Sequence, residues 1–140
     1  MIWKTQPTIE GLNALNHNSL GETLGIHFTE VGDDFIIARM PVDHRTVQPY
    51  RVLHGGASVA LAETLGSVAS TMCIDLSKYK AVGVEINANH LSSAREGTVV
   101  YGKVHPIRIG RTLQVWGIDI TDEKGKKICI SRITIAVIAN

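Results

Sequence analysis

A histidine followed by two glycines, His54, Gly55 and Gly56, stands at the head of a long apolar segment. If that segment is a helix, its first N–H groups lack an internal acceptor, and the helix dipole adds partial positive charge beside them. Glycine also lets a ligand approach the backbone closely. The pattern predicts a site that stabilises a developing negative charge, such as a carbonyl oxygen becoming an oxyanion. Gln48 and His54 could donate further hydrogen bonds, whereas a plain glycine-rich helix start with a surface histidine is the alternative interpretation.

Glu63 is the only charged residue between positions 56 and 74. On a helix, Ser67 and Ser70 follow it at i+4 and i+7, which predicts a polar face. A buried carboxylate without a partner costs free energy, so its presence indicates a structural or catalytic reason. The alternatives are that this face meets solvent or that Glu63 pairs with a basic residue.

The spacing between Glu63 and Gly55 limits how the two residues can cooperate. Eight residues of helix, at a rise of about 1.5 Å each, separate them by roughly 12 Å. This separation argues against the acid and the amide of one chain acting on the same carbonyl group. If both act on it, Glu63 comes from a second chain whose helix runs antiparallel alongside. This predicts an active site shared across a two-fold dimer interface.

The composition is that of one globular domain, which we expect to span residues 1–140, with 44% apolar and 19% charged residues. Lys and Arg total 14 against 13 for Asp and Glu, and this near-neutral balance argues against a basic face for nucleic acid. Cys73 and Cys129 fit no disulfide framework and no metal-ligand spacing. We therefore expect two small buried side chains there and no metal site.

Two segments of the sequence indicate where in the cell the protein is located. The N-terminus has no apolar run as long as that of a signal peptide, which favours the cytoplasm. The stretch from Gly56 to Ile74 approaches the roughly 20 residues of a membrane-spanning helix. It carries Glu63 at mid-segment together with several serines and threonines, and a charge at the bilayer centre is costly. We interpret it as a helix buried within a protein core, with no membrane contact.

Around this long helix the sequence predicts one short opening helix and a series of strands. Two strands come before the long helix and at least four follow it, which is not the βαβ alternation of a parallel sheet. The order predicts an α+β fold in which an antiparallel sheet wraps around one long central helix. The opening helix is placed at Ile9–Asn16, and the strands at Leu24–Glu30, Phe35–Met40, Ala81–Asn87, Gly97–Pro106, Thr112–Thr121 and Ile128–Ile138.

An ordered set of motifs runs through nearly the whole chain. It comprises MIWK at the N-terminus, MPVDHRTVQP at Met40–Pro49, LHGGASVALAETLGSVA at Leu53–Ala69, VGVEINANH at Val82–His90, SAREG at Ser93–Gly97 and GRTLQVWGIDITDEKG at Gly110–Gly125. In these motifs the chain resembles the hotdog-fold acyl-CoA thioesterases. It is especially similar to the bacterial branch that contains dihydroxynaphthoyl-CoA hydrolase of menaquinone synthesis and the proofreading thioesterase of enterobactin synthesis.

The resemblance implies a hotdog fold, homodimers whose sheets pair edge to edge, and often a homotetramer of two dimers. It implies that Glu63 is the catalytic acid, that the Gly55 N–H is the oxyanion donor, and that Ser67 lines the acyl pocket. Gln48 and His54 would lie beside the thioester. No cofactor is implied, since CoA is part of the substrate, and an acyl carrier protein is the alternative thiol carrier. The CoA groove would involve Val82, then Asn89, His90, Leu91 and Ser92, and a loop of Pro106, Ile107, Arg108, Ile109, Gly110 and Arg111.

The charged residues support part of this predicted CoA groove, because Arg108, Arg111 and Arg95 are cations suited to pairing with CoA phosphates. The chain also departs from the family, since Tyr50-Arg51 stands where many relatives carry Phe-Gly. The acyl group stays open between an aromatic and a fatty one. A hotdog-fold hydratase or dehydratase and a non-catalytic acyl-CoA binding protein are the alternative functions.

Overall fold

The computed structural model describes all residues, 1–140. Six strands form one antiparallel sheet in the order β1-β2-β4-β5-β6-β3. The predicted α+β arrangement, an antiparallel sheet around one long helix, is confirmed. The elements are α1 (Ile9–Leu15), α2 (Leu20–Thr23), β1 (His27–Val31), β2 (Ile36–Pro41), α3 (Gly55–Met72), β3 (Tyr79–His90), β4 (Val99–Ile109), β5 (Leu113–Asp122) and β6 (Lys127–Ala139).

Helix α3 lies against the inner face of the sheet and supplies much of the core. Leu61 and Leu65 are fully buried and reach Gly102 of β4. On the neighbouring side, a Cβ added to Gly66 would lie only 2.5 Å from Cγ2 of Ile133 in β6. The small side chains of α3 therefore let the sheet approach the helix closely, as the sequence predicts. No helix of the molecule is both long and apolar enough to span a bilayer.

Buried and exposed side chains largely alternate along strand β5, with Trp116 and Ile118 buried on the inner face. Gln114 on the same face accepts hydrogen bonds at Oε1 from Ser70 Oγ at 2.6 Å and from Trp116 Nε1 at 3.0 Å. The hydrogen bond from Ser70 therefore links α3 to the sheet at β5. Ser70 lies on the same face of α3 as Glu63, and it is fully buried against β5, so this part of the predicted polar face meets the sheet and not solvent.

Element boundaries differ from the predictions where local capping and turn geometry intervene. The opening helix is confirmed, with Thr8 Oγ1 accepting the Gly11 N–H at 3.0 Å. The strand predicted from Leu24 begins at His27, because α2 precedes it and Gly25 adopts a φ of +74°. The interpretation of Pro106–Arg111 as a loop is wrong for Pro106–Ile109, since β4 continues to Ile109, whereas Gly110 and Arg111 do lie in the turn before β5. A register shift between Pro106 and Arg108 allows the strand to pass the proline.

Strand β3 is the sheet's longest edge. It pairs antiparallel with β6 from Tyr79 to His90, and its other side faces no strand. Val82 and Val84 are 38% and 62% exposed, respectively. A long edge strand with exposed apolar side chains is a template for pairing with another chain.

Both cysteines are free, and burial raises the pKa of the Cys73 thiol to about 11 and also raises that of Cys129. Because the thiolate is the reactive form, we expect native protein near pH 8 to react at least about ten-fold more slowly with Ellman's reagent than unfolded protein. The control is the same titration in guanidinium chloride. Rapid labelling of either thiol in the native protein would contradict the burial described here.

Candidate active site

A cleft of about 340 Å³ opens at the N-terminus of α3. The start of the helix forms one wall, and the end of β3 with the segment after it forms another. The cleft brings together five residues that the sequence or the resemblance placed in the site, namely Gln48, Gly55, His90, Leu91 and Ser92. Its lining is completed by Val52, Leu53, Ser58, Ser93 and Ile128.

The first turn of α3 leaves one amide open in this cleft. His54 is the N-cap in an extended conformation, and its Nδ1 accepts the Gly56 N–H at 2.8 Å. The His54 carbonyl accepts the N–H groups of Ala57 and Ser58. The Gly55 N–H has no acceptor in the protomer, so it is a free donor at the positive end of the helix dipole.

The imidazole of His54 is a capping group as well as an exposed side chain. Because Nδ1 accepts a hydrogen bond, the neutral ring carries its proton on Nε2. His54 lines a neighbouring cleft with Gly56 and Ala60 rather than the Gly55 cleft itself. The two glycines thus differ in role, since the Gly56 N–H donates to the capping imidazole and the Gly55 N–H stays free.

His90, at the end of β3, covers the helix start. A Cβ added to Gly55 would lie 2.8 Å from His90 Nε2, so residue 55 has no room for a side chain. This close approach explains one glycine of the His-Gly-Gly motif. It also places an imidazole beside the open Gly55 amide.

Gln48 enters the cleft from a tight turn. The Gln48 N–H donates to the Val52 carbonyl at 2.9 Å, and its carbonyl accepts the Arg51 N–H at 2.8 Å. The side-chain Oε1 accepts the Tyr50 N–H. With Oε1 engaged by the turn, the amide nitrogen Nε2 is the donor that Gln48 has available at the cleft.

Glu63 is half-buried and lies on the part of α3 that crosses the first half of β3. Its Oε1 is 2.9 Å from the position that a Cβ on Gly83 would occupy. Glu63 forms no ion pair and no side-chain hydrogen bond within the protomer. It does not line the Gly55 cleft, in agreement with the separation calculated from the helix rise. Ser67, one turn further along, is also half-buried.

The remaining residues of the expected CoA groove are divided between the two ends of the sheet. The cross-strand row through His90 continues to Cys129 and Ile120, whereas Ile109 belongs to the row through Gln114, Ile135 and Gly83. The segment Pro106–Arg111 and Val82 therefore lie at the Glu63 end, away from the Gly55 cleft of the same chain. Asn89 lines a separate cleft with Ile107 and Arg132. Their substrate-binding roles stay predictions.

Six residues of the site were not predicted, namely Gly83 beside Glu63, and Val52, Leu53, Ser58, Ser93 and Ile128 in the Gly55 cleft. Gly83, rather than Val82, lies beneath the Glu63 carboxylate, and Ser93, rather than Asn89, lines the Gly55 cleft. Gly83 had a recognisable signal, because a glycine inside a strand of β-branched residues often marks close approach of another group. Ser93 had none, since the path of the chain after β3 decides which residues turn inward.

Comparison with known proteins identifies the family. Residues 50–129 match the family model described as the thioesterase superfamily. The chain is 51% identical over 138 residues to 1,4-dihydroxy-2-naphthoyl-CoA hydrolase of Escherichia coli, covering 99% of this chain and 100% of that protein. It is 48% identical over 137 residues to the proofreading thioesterase EntH of Cronobacter turicensis, covering 98% of each.

The fold comparison agrees with the sequence comparison. A crystal structure of a mutant of thioesterase PA1618 from Pseudomonas aeruginosa matches with a TM-score of 0.97 and 48% identity, and the match covers 100% of both chains. The antiparallel sheet around α3 is the hotdog fold of these enzymes. This chain accordingly belongs to the thioesterase superfamily and is a thioester hydrolase.

Proposed function

We propose that this protein hydrolyses acyl-CoA thioesters with the Gly55 amide as oxyanion donor and Glu63 as the acid that drives attack. The observation that carries the proposal is the open Gly55 N–H at the head of α3, in a cleft shared with Gln48 and His90. The preference for CoA over a carrier protein rests on the resemblance and on the E. coli relative's name.

The charges of the reaction fit these groups. Attack on a thioester places negative charge on the carbonyl oxygen, and one preorganised donor contributes about 2.7–4 kcal/mol to stabilising it. The Gly55 N–H supplies such a donor, and the Nε2 group of Gln48 supplies a second at the same cleft. Ionised Glu63 then either activates a water molecule as general base or attacks the carbonyl carbon to form an anhydride. In both routes the thiolate of CoA leaves and takes up a proton, and in the second route water then cleaves the anhydride to release the acid and restore Glu63.

The distance between Glu63 and the Gly55 cleft supports a site built from two chains. If two copies of β3 pair antiparallel about a two-fold axis, the first half of each strand lies against the second half of the other. Glu63 lies over the first half, at Gly83, and Gly55 lies under the end, at His90. The pairing therefore moves the acid of each chain toward the amide of its partner. We extend the proposal to two such dimers forming a tetramer, in which Pro106–Arg111 can approach a CoA molecule bound in another subunit's cleft.

The acyl group that we propose is aromatic. The support is the name of the E. coli relative, a hydrolase of a naphthoyl-CoA ester, which is 51% identical over nearly the whole chain. A role for this chain in menaquinone synthesis, in the cytoplasm, follows from the same resemblance. The change from Phe-Gly to Tyr50-Arg51 beside Gln48 is a reason to test the acyl preference directly.

A panel of aryl-CoA and alkyl-CoA esters with detection of free thiol tests the activity. We expect release of CoA with a higher kcat/KM for the aryl esters than for the fatty ones. Enoyl-CoA esters belong in the panel, because a hydratase would consume the double bond without releasing thiol. Absence of thiol release from every ester would overturn the proposed function.

Replacement Glu63→Gln keeps the shape of the side chain and removes its basic and nucleophilic oxygen. We expect kcat to fall by at least about 100-fold, with KM for the CoA ester nearly unchanged, because the carboxylate acts in the transition state. Glu123→Gln, in the exposed turn between β5 and β6, is the matched control and should keep wild-type turnover. Wild-type kcat in Glu63→Gln would remove this residue from the mechanism.

Mixing two inactive variants tests whether the site is shared. One variant is Glu63→Ala and the other carries Gln48→Ala with His54→Ala. In a shared site, each mixed dimer holds one intact site, so random exchange should restore about a quarter of wild-type activity. Subunit exchange is verified with two affinity tags. If exchange is complete and activity is not restored, Glu63 acts within its own chain.

A further inference from the structure

Arg51 occupies a backbone conformation that normally favours glycine. Its φ is +61°, in the left-handed region, where an L-residue with a side chain is disfavoured. This chain nevertheless carries a long charged residue at this position. The structure must therefore contain contacts that compensate for the unfavourable backbone.

The compensating contacts join Arg51 to Glu96. Arg51 Nε donates to Glu96 Oε2 at 2.9 Å, and Nη2 donates to Oε1, which makes the pair bidentate. The backbone repeats the connection, because the Glu96 N–H donates to the Arg51 carbonyl at 3.2 Å. These hydrogen bonds lower the pKa of the Glu96 carboxyl and raise the pKa of the Arg51 guanidinium.

A short ladder continues inward from this pair. Val52 forms an antiparallel bridge with Arg95, and the Leu53 N–H donates to the Ala94 carbonyl at 2.8 Å. These backbone hydrogen bonds thus join the segment that leads into α3 to the segment that follows β3. Leu53 and Ser93 of these segments both line the Gly55 cleft, so the ladder fixes its width at the mouth.

Arg51 is also the last residue of the turn that carries Gln48. Its N–H donates to the Gln48 carbonyl at 2.8 Å, and the next residue, Val52, accepts the Gln48 N–H at 2.9 Å. The conformation of Arg51 therefore sets where Gln48 stands relative to the Gly55 amide.

We propose that Arg51 and Glu96 form a clasp that holds Gln48 in position for the reaction. Arg51 is a positioning residue in this proposal, since its guanidinium is engaged by Glu96 and acts on the substrate only through Gln48. The pair is largely exposed, with 57% and 38% of the two side chains accessible, so its contribution to global stability is small. Its effect appears in turnover. The proposal rests on the proposed role of Gln48 in thioester hydrolysis.

Two single variants separate the clasp from backbone strain. Arg51→Gly relieves the unfavourable φ and removes the side-chain pair, and Glu96→Gln keeps the shape of the partner while removing its charge. We expect each to lower kcat by about three- to ten-fold with KM changed less than about two-fold, and to keep a wild-type melting temperature. Arg51→Lys, which retains the charge but not the bidentate geometry, should be intermediate. The matched control is Lys78→Ala, which breaks the exposed Lys78–Asp75 pair before β3 and should keep full turnover.

The decisive measurement combines the clasp with Gln48. Because the clasp acts through Gln48, Arg51→Gly should slow the wild-type enzyme but should cause no further loss in a Gln48→Ala background. A loss that multiplies in the double variant would show a general structural effect and overturn the proposal, as would wild-type kcat in both single variants. Failure of the proposed function gives a different result, since the unmodified enzyme itself then releases no thiol. If the enzyme is active and Gln48→Ala retains wild-type kcat, the proposed roles of Gln48 and of the clasp are both wrong, whereas the proposed thioester hydrolysis is unaffected.

Discussion

The open amide of Gly55 depends on how α3 is enclosed. A helix surrounded by a sheet buries its sides, so its N-terminus is where unpaired N–H groups remain accessible. His54 occupies the neighbouring Gly56 amide through Nδ1, and its carbonyl takes the next two N–H groups. The cap thereby satisfies every early donor except one. The Gly55 N–H is therefore the one amide at the positive helix end that is left to bind a negative charge. It faces a cleft rather than bulk water.

Strand β3 connects this amide to the other functional elements. Its end presents His90 to Gly55, its first half presents Gly83 to Glu63, and its free edge is available to another chain. At both glycines α3 and β3 approach each other closely. A side chain at either glycine would force the helix and strand apart or displace His90 or Glu63. Packing of this helix on this strand therefore sets the spacing between the Gly55 amide and the Glu63 carboxylate.

The left-handed conformation of Arg51 shows how unfavourable backbone geometry can be offset locally. A residue with a side chain is disfavoured in this conformation, and here it belongs to the turn that carries Gln48. Here the turn keeps its hydrogen bonds, and the arginine that disfavours the conformation also reaches Glu96. The residue that creates the strain supplies the contact that offsets it, so the cleft mouth keeps its shape.

The sequence by itself determined the main elements, because hydrophobic patterning and turn residues are local signals. It also singled out the Gly55 amide and the Glu63 carboxylate as candidate site groups, and the rise of a helix was enough to predict their separation. It could not determine that Val82 points away while Gly83 approaches Glu63, that Pro106–Ile109 extend a strand, or that Ser70 bonds to Gln114. These facts depend on strand register and on which faces of helix and sheet meet. Strand register and the choice of packing face arise from contacts between residues far apart in the chain. Only the tertiary structure brings those residues together.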